Sequence, residues 1–354
     1  MKMTKNQIHQ RARELLENCL SKVPSLRIVT YEGAPWFDHL NQDFIVRVFV
    51  QDLSQLLLVA VIPSGQPRVA RNALNLIARF RSEYPNSYGI LIAPFVSSRT
   101  AEICKQNGAG YLDSAGNCFL SFQTIFIQRE GLPNPAPARR ELRSLYAPKS
   151  TRVLRVLLAN ARQSWRYQRL AREANVSLGQ VANVLRILRD REWLTDEDSG
   201  VKLAAPAELL AEWTASYNFK KNVATDYYSL ESPVEIEKTL GSILNDRGIR
   251  YALTGFSGAA RVSPAVRYQR VMAFVEAMPE DALARLKLKP VDSGANVTIL
   301  SPYDEGVFYG AETVDDLQVV HPIQLYLDLR NFKGRGEEAA AAILGDIILP
   351  SWRI

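Results

Sequence analysis

Three prolines fall within the eight residues Gly131–Ala138 (GLPNPAPA), and this run limits the fold more than any other feature. Each proline fixes φ and removes an amide donor, so the segment can neither continue a helix nor sit inside a sheet. It reads as a stiff spacer and the clearest boundary in the chain. With 354 residues and roughly 100–200 residues per domain, two or three domains are expected.

Charge is distributed unevenly about that boundary. Between Arg139 and Arg191 thirteen Lys and Arg stand against Glu141, Glu173 and Asp190, a local excess of ten. The whole chain carries +6, so the remainder is net acidic. A charge concentrated in one segment is the footprint of a phosphate-binding surface.

Residues 1–138 read as a mixed α/β domain. An amphipathic helix through Ile8, Ala12, Leu15, Leu16 and Leu20 precedes strand-like runs at Leu26–Tyr31, Asp43–Gln51 and Leu56–Ile62. Helical spacing follows over Pro67–Tyr84, then a buried-strand signal at Gly89–Ala93, a helix opened by Ser97 or Ser98, and a strand pair in Gly110–Gln128. This order resembles the restriction-endonuclease-like PD-(D/E)xK fold, in which an Asp and a (D/E)-x-K triplet hold Mg²⁺. Asp43 matches the first position, but Leu56–Ile62 supplies only apolar side chains where a carboxylate and lysine should stand. The domain therefore looks like that fold without its nuclease chemistry. Asp113 and Asn117 form either a ligand site or a self-bonded turn, and the turn is favoured.

Residues 139–216 give the order of a winged helix-turn-helix. A helix over Thr151–Asn160 and a second over about Tyr167–Ala174 precede a third that Ser177 caps, with Gln180 completing an S-x-x-Q capping box. In the third helix Leu178, Val181, Leu185 and Leu188 share one face and are expected in the core. Trp193-Leu194-Thr195 and Val201-Lys202-Leu203 flank a hairpin turn, whose Asp196-Glu197-Asp198 would be repelled by phosphate. The DNA-binding candidates are Arg162, Arg166, Tyr167, Arg169 and Arg172 for the backbone, Ser177 at the helix N-terminus, and Gln180, Asn183, Arg186 and Arg189 on the third helix. Gln, Asn and Arg are the residue types that bond base edges in the major groove. A protein-interaction winged helix with a solvated basic face is the alternative.

Residues 217–354 suggest a further α/β domain: a helix Val234–Arg247, a strand Gly248–Leu253, a turn Thr254–Gly258, strands near Val297–Leu300 and Gly306–Tyr309, and a final helix Glu337–Leu344. This resembles a nucleotidyltransferase core, but the run Tyr268–Glu276 holds no paired acids and Glu276 stands alone. Gly255–Gly258 is therefore expected to be a packing turn. The overall expectation is an α/β multi-domain protein: a restriction-endonuclease-like α/β domain, a central winged helix-turn-helix and a C-terminal nucleotidyltransferase-like α/β domain.

Cys19, Cys104 and Cys118 are scattered and His9, His39 and His321 dispersed, which argues against a disulfide framework, a metal site or any cofactor. No apolar run nears the ~20 residues a membrane helix needs, so a cytoplasmic protein is expected. Three runs, Ile90–Pro94 with Gly108–Leu120 (GAGYLDSAGNCFL), Leu253–Arg261 (LTGFSGAAR) and Val319–Gly336 (VVHPIQLYLDLRNFKGRG), resemble the AbiEi-like antitoxins of type IV toxin–antitoxin systems, in the subgroup with an extra N-terminal domain. The resemblance implies a transcriptional regulator that binds its own operator as double-stranded DNA. It also implies opposition to a nucleotidyltransferase toxin encoded nearby, without a stable complex. A regulator and not an enzyme is expected; a divergent metal-dependent nuclease or nucleotidyltransferase relying on Asp43 or Glu276, or a protein-binding scaffold, are the alternatives.

Overall fold

The computed structural model describes residues 5–33, 44–84, 86–134, 145–263 and 268–353. His39, Asp43 and residues 135–138 of the proline-rich run lie outside the described residues. The protein is mixed α/β and divides into two compact units: Met1–Arg139 with Arg189–Glu192, and Arg140–Leu188 with Trp193–Ile354.

The first unit is a seven-stranded sheet whose strands lie in chain order. Helix α1 (Lys5–Leu20) precedes β1 (Leu26–Gly33), β2 (Phe44–Val50) and β3 (Leu53–Val61); α2 (Pro67–Arg81) crosses to β4 (Ser87–Ala93) and α3 (Ser98–Gln106) to β5 (Gly110–Asp113). Strands β3, β4 and β5 are parallel, with antiparallel pairs on either side. Alternation along β3 explains the three layers. Leu57, Val59 and Val61 join a core with Leu16, Leu20 and Phe44, whereas Ala60 and Ile62 join a second core with Ala73, Ile77 and Ile103. Where the sequence suggested a strand pair in Gly110–Gln128, the sheet has three strands: β5, β6 (Cys118–Phe122) and β7 (Ile125–Arg129).

The Asp113–Asn117 segment is a self-bonded turn. Asp113 Oδ1 accepts from the Ala115 and Asn117 amides, both at 2.9 Å, and Oδ2 accepts from Val96 N at 3.1 Å and Asn117 Nδ2 at 2.9 Å. Every lone-pair direction of the buried carboxylate is used within the turn region.

The second unit opens with α4 (Pro148–Ala159), α5 (Tyr167–Glu173) and α6 (Leu178–Asp190), then the antiparallel hairpin β8 (Leu194–Glu197) and β9 (Gly200–Leu203) and helix α7 (Pro206–Ser216). Trp165 pairs with Val201 through two backbone bonds of 2.7 and 3.0 Å, an isolated antiparallel bridge beside the two-stranded hairpin. Gly200 is required there: its φ is +137° and a Cβ would lie 2.3 Å from the Trp165 carbonyl oxygen.

The rest of this unit is a seven-stranded mixed sheet. It is built from β10 (Val223–Tyr228), α8 (Pro233–Asp246), β11 (Tyr251–Leu253), α9 (Gly255–Val262), β12 (Val271–Val275), α10 (Glu280–Arg285), β13 (Lys289–Pro290), β14 (Val297–Ser301), β15 (Glu312–Val314) and β16 (Leu317–Val319), followed by α11 (Pro322–Leu329), α12 (Arg335–Ile343) and α13 (Leu349–Trp352). The strand order is β13-β10-β14-β12-β11-β16-β15. One buried apolar cluster runs without a break from Leu145 in the opening helices to Ile348 near the end of the chain.

One sequence expectation is sharpened here and another changes. The packing turn expected at Gly255–Gly258 is the first turn of helix α9; Gly255 has φ +54° and packs against Met272, where a Cβ would approach Sδ to 2.7 Å. Residues expected as a strand near 306–309 form a 3-10 turn, Glu305–Phe308, because Asp304 caps it by accepting from Gly306 N at 2.8 Å. Glu276 is not aimed at the α9 turn but pairs with Arg250 at 2.7 Å.

Candidate nucleic-acid interface

The three short helices α4, α5 and α6 each bury one face and leave another to solvent. On α4 the core takes Val153, Leu154, Val156, Leu157 and Leu158. On α5 it takes Leu170 and Ala171, leaving Arg166 at the N-cap, Arg169 and Arg172 exposed. Arg169 stacks over the Trp165 ring at 5.1 Å, which holds the guanidinium of an exposed side chain in one place. Arg162, in the loop before α5, is also exposed, with Nη2 3.4 Å from the Pro350 carbonyl. Tyr167 is half-buried against the core.

Ser177 caps α6, its Oγ accepting from Gln180 N at 3.3 Å. The capping box is only half made. The Gln180 amide does not return to the Ser177 backbone; it donates to Ser150 Oγ at 2.7 Å. Ser150 is fully buried on α4, so that bond satisfies a hydroxyl which water cannot reach. Gln180 therefore ties two helices together and is withdrawn from the exposed face.

The core stripe of α6 also differs from the sequence reading. Val181, Val184, Leu185, Ile187 and Leu188 are buried, but Leu178 is 49% exposed. The cause is the residue before the cap: Val176 packs on the same core as Val181, the N′ and N4 positions of a hydrophobic staple. With Val176 supplying the entry contact, Leu178 is left on the outside with Gly179, Ala182 and Arg186. Asn183 is half-buried beside them and accepts from Arg186 Nη2 at 3.4 Å. Arg189 is half-buried at the far end of the helix.

Some of the local positive charge is spent inside the unit. Arg152 grips Asp304 through Nε at 2.9 and 3.0 Å and Nη2 at 2.7 Å, and reaches Glu305 at 2.5 Å. Arg155, buried, donates to Gln324 Oε1 at 2.6 and 3.2 Å and lies 5.0 Å from the Trp213 ring. Neither is presented to a partner, which sequence spacing alone did not show. Part of the acidity of the hairpin is likewise absorbed. Glu197 accepts from Ser164 and lies 3.7 Å from Lys202 Nζ, which moderates the repulsion expected of Asp196-Glu197-Asp198.

Beneath these helices lies a polar network that the sequence did not reveal. Asp328, fully buried on α11, accepts from Thr254 Oγ1 and Tyr217 Oη at 2.6 Å each and from Gln324 Nε2 at 2.9 Å. Burial pushes its carboxyl up to about 6, against the pull of those three donors and of Arg155. Gln324 joins this carboxylate to Arg155 on α4, so the network spans the opening helices and the C-terminal sheet. Among the described residues no cluster of three or more His, Cys, Asp or Glu is placed to hold a metal ion. Nor is any helix among them long and apolar enough to cross a membrane.

With this geometry in place, comparison with known proteins gives one family match. Residues 202–349 match the family described as "Transcriptional regulator, AbiEi antitoxin, Type IV TA system". The match begins on the last strand of the hairpin and covers the C-terminal sheet and its helices. Two solved structures are similar over part of the chain. EndoMS in apo form is 18% identical over 32% of this chain and 47% of its own, with a TM-score of 0.23. The EndoMS–dsDNA2 complex is 16% identical over 31% and 45%, also with a TM-score of 0.23. The chain thus spans less than half the length of either structure, and likeness at that level carries no structural inference. No curated protein matches the chain.

Proposed function

We propose that residues 145–203 act as a winged helix-turn-helix on double-stranded DNA, and that the chain is a transcriptional regulator of the type IV antitoxin kind. The observation that carries this is the outer face of α6. A capped helix presents Asn183 and Arg186, types that bond adenine and guanine edges, while Arg162, Arg166, Arg169 and Arg172 stand exposed just before it as phosphate contacts. The family match over residues 202–349 supports the regulatory role. In this reading the protein represses its own operon and opposes a nucleotidyltransferase toxin encoded nearby without a stable complex. Residues 1–138 serve as a restriction-endonuclease-like platform without its metal triplet, and 217–354 as a nucleotidyltransferase-like domain without paired acids.

Gel shift with DNA from upstream of the protein's own gene tests it. Binding should weaken steeply with salt, and Arg166→Ala or Arg172→Ala should reduce the salt slope by about one. Asn183→Ala with Arg186→Ala should cost about 1–3 kcal/mol per lost base contact and relax sequence preference. Salt-insensitive retention, or none, overturns the reading.

A further inference from the structure

Leu178 is the large apolar side chain that the α6 core leaves in solvent, 49% exposed in the first turn of the helix. Its surroundings are unusual for a solvated face. Gly179 follows it, and a Cβ there would meet nothing within 4 Å, so the backbone lies open to close approach. Ala182, exposed, sits four residues on and on the same side of the helix. Leu178, Gly179 and Ala182 therefore make an apolar surface nearly free of protruding side chains, followed by Asn183 and Arg186 in the next turn.

The charge around this surface selects its occupant. Arg166, Arg169 and Arg172 are exposed on the preceding helix and Arg186 on α6 itself, so a partner that spans these two helices carries negative charge. A DNA duplex combines that charge with one kind of apolar group on its major-groove edge, the C5-methyl of thymine. We infer that Leu178 and Ala182 read thymine methyl groups, and that the recognised site places A·T pairs beside the bases bonded by Asn183 and Arg186. The inference rests on the DNA-binding reading above and assigns its specificity. Gln180 takes no part, since its amide is held by Ser150.

The test removes the methyl group and nothing else. The upstream region is amplified once with thymidine and once with deoxyuridine triphosphate, and both duplexes are titrated with the full chain by gel shift. The wild type should bind uracil DNA more weakly, by roughly fourfold for each methyl contacted. Leu178→Ala, at an exposed position, should keep its thermal midpoint and show a smaller preference for thymine DNA, the remainder belonging to Ala182. Asn183→Ala should bind more weakly overall yet retain the preference for thymine DNA. Equal wild-type binding to the two duplexes overturns this inference while leaving DNA binding intact. A thymine preference that Leu178→Ala leaves undiminished overturns it too, because the methyl contact then belongs to another residue. No shift with either duplex overturns the DNA-binding reading and this inference with it.

Discussion

Asp328 accepts three hydrogen bonds, from Thr254, Tyr217 and Gln324, and still titrates at about 6 because it is wholly buried. A carboxyl whose folded value lies above its ordinary value of 3.8 binds its proton more tightly in the native state. Its ionisation therefore costs nothing below about pH 4, and the cost accumulates as pH rises to about 6. At neutral pH the penalty is on the order of 2–3 kcal/mol. Asp328→Asn removes it, while giving up one acceptor to the surrounding donors. The thermal midpoint of the variant relative to wild type should therefore rise between pH 4 and pH 7. A difference that stays flat over that window would show that Asp328 keeps the same charge throughout. The neighbouring Tyr217 adds nothing to this window, since burial and Asp328 push its phenol well above its ordinary range.

At the scale of the element, the hairpin depends on one backbone position. Gly200 places the turn between β8 and β9 against the Trp165 carbonyl, at a φ that side chains rarely adopt. Gly200→Ala should cost about 1–3 kcal/mol of stability, read by chemical denaturation, and should loosen the Trp165–Val201 pairing that fixes the hairpin to the helices. Unchanged stability would mean that the backbone can shift there freely. The same elements show what the sequence discloses and what it hides. The α6 cap was legible because Ser177 followed by apolar spacing is a local signal, and so was the crossing of β3, α2, β4 and α3, whose period changes within the chain. Leu178 was misplaced because helical spacing counts residues on a face but does not know that Val176 already supplies the entry contact. Gln180 looked available because its partner, Ser150, lies thirty residues away. The 3-10 turn at 305–308 reads as a strand because the cap from Asp304 to Gly306 N leaves no mark on hydrophobic spacing, and α11 has no sequence assignment of its own. Local chemistry shows in a pattern; long-range partners do not.

For the molecule as a whole, the question is which parts unfold together. The sequence reading separates residues 139–216 from 217–354, yet one apolar cluster joins Val153, Leu157 and Leu185 to Leu253, Val320 and Leu325. Two polar links reinforce it. Arg152 is clamped by Asp304 and Glu305, and Arg155 is bonded to Gln324 beside Asp328. Contacts of this kind make opening of the helices and opening of the sheet one event, since breaking either strands a buried charge. Asp304→Ala leaves the Arg152 guanidinium, 16% exposed, with Glu305 and the Asn175 carbonyl, and should cost about 3 kcal/mol. Hydrogen exchange on the full chain reads where that cost appears. Amides of α4, in Val153–Leu158, and of α11, in Ile323–Leu329, should lose protection by the same factor. Loss confined to α11 would mean that the helical part is a separate cooperative unit. DNA affinity would then be insensitive to changes in the sheet. Shared loss would mean that anything binding the C-terminal sheet alters the stability of the helices that carry Asn183 and Arg186, which is the physical requirement for a regulator whose DNA binding responds to a partner.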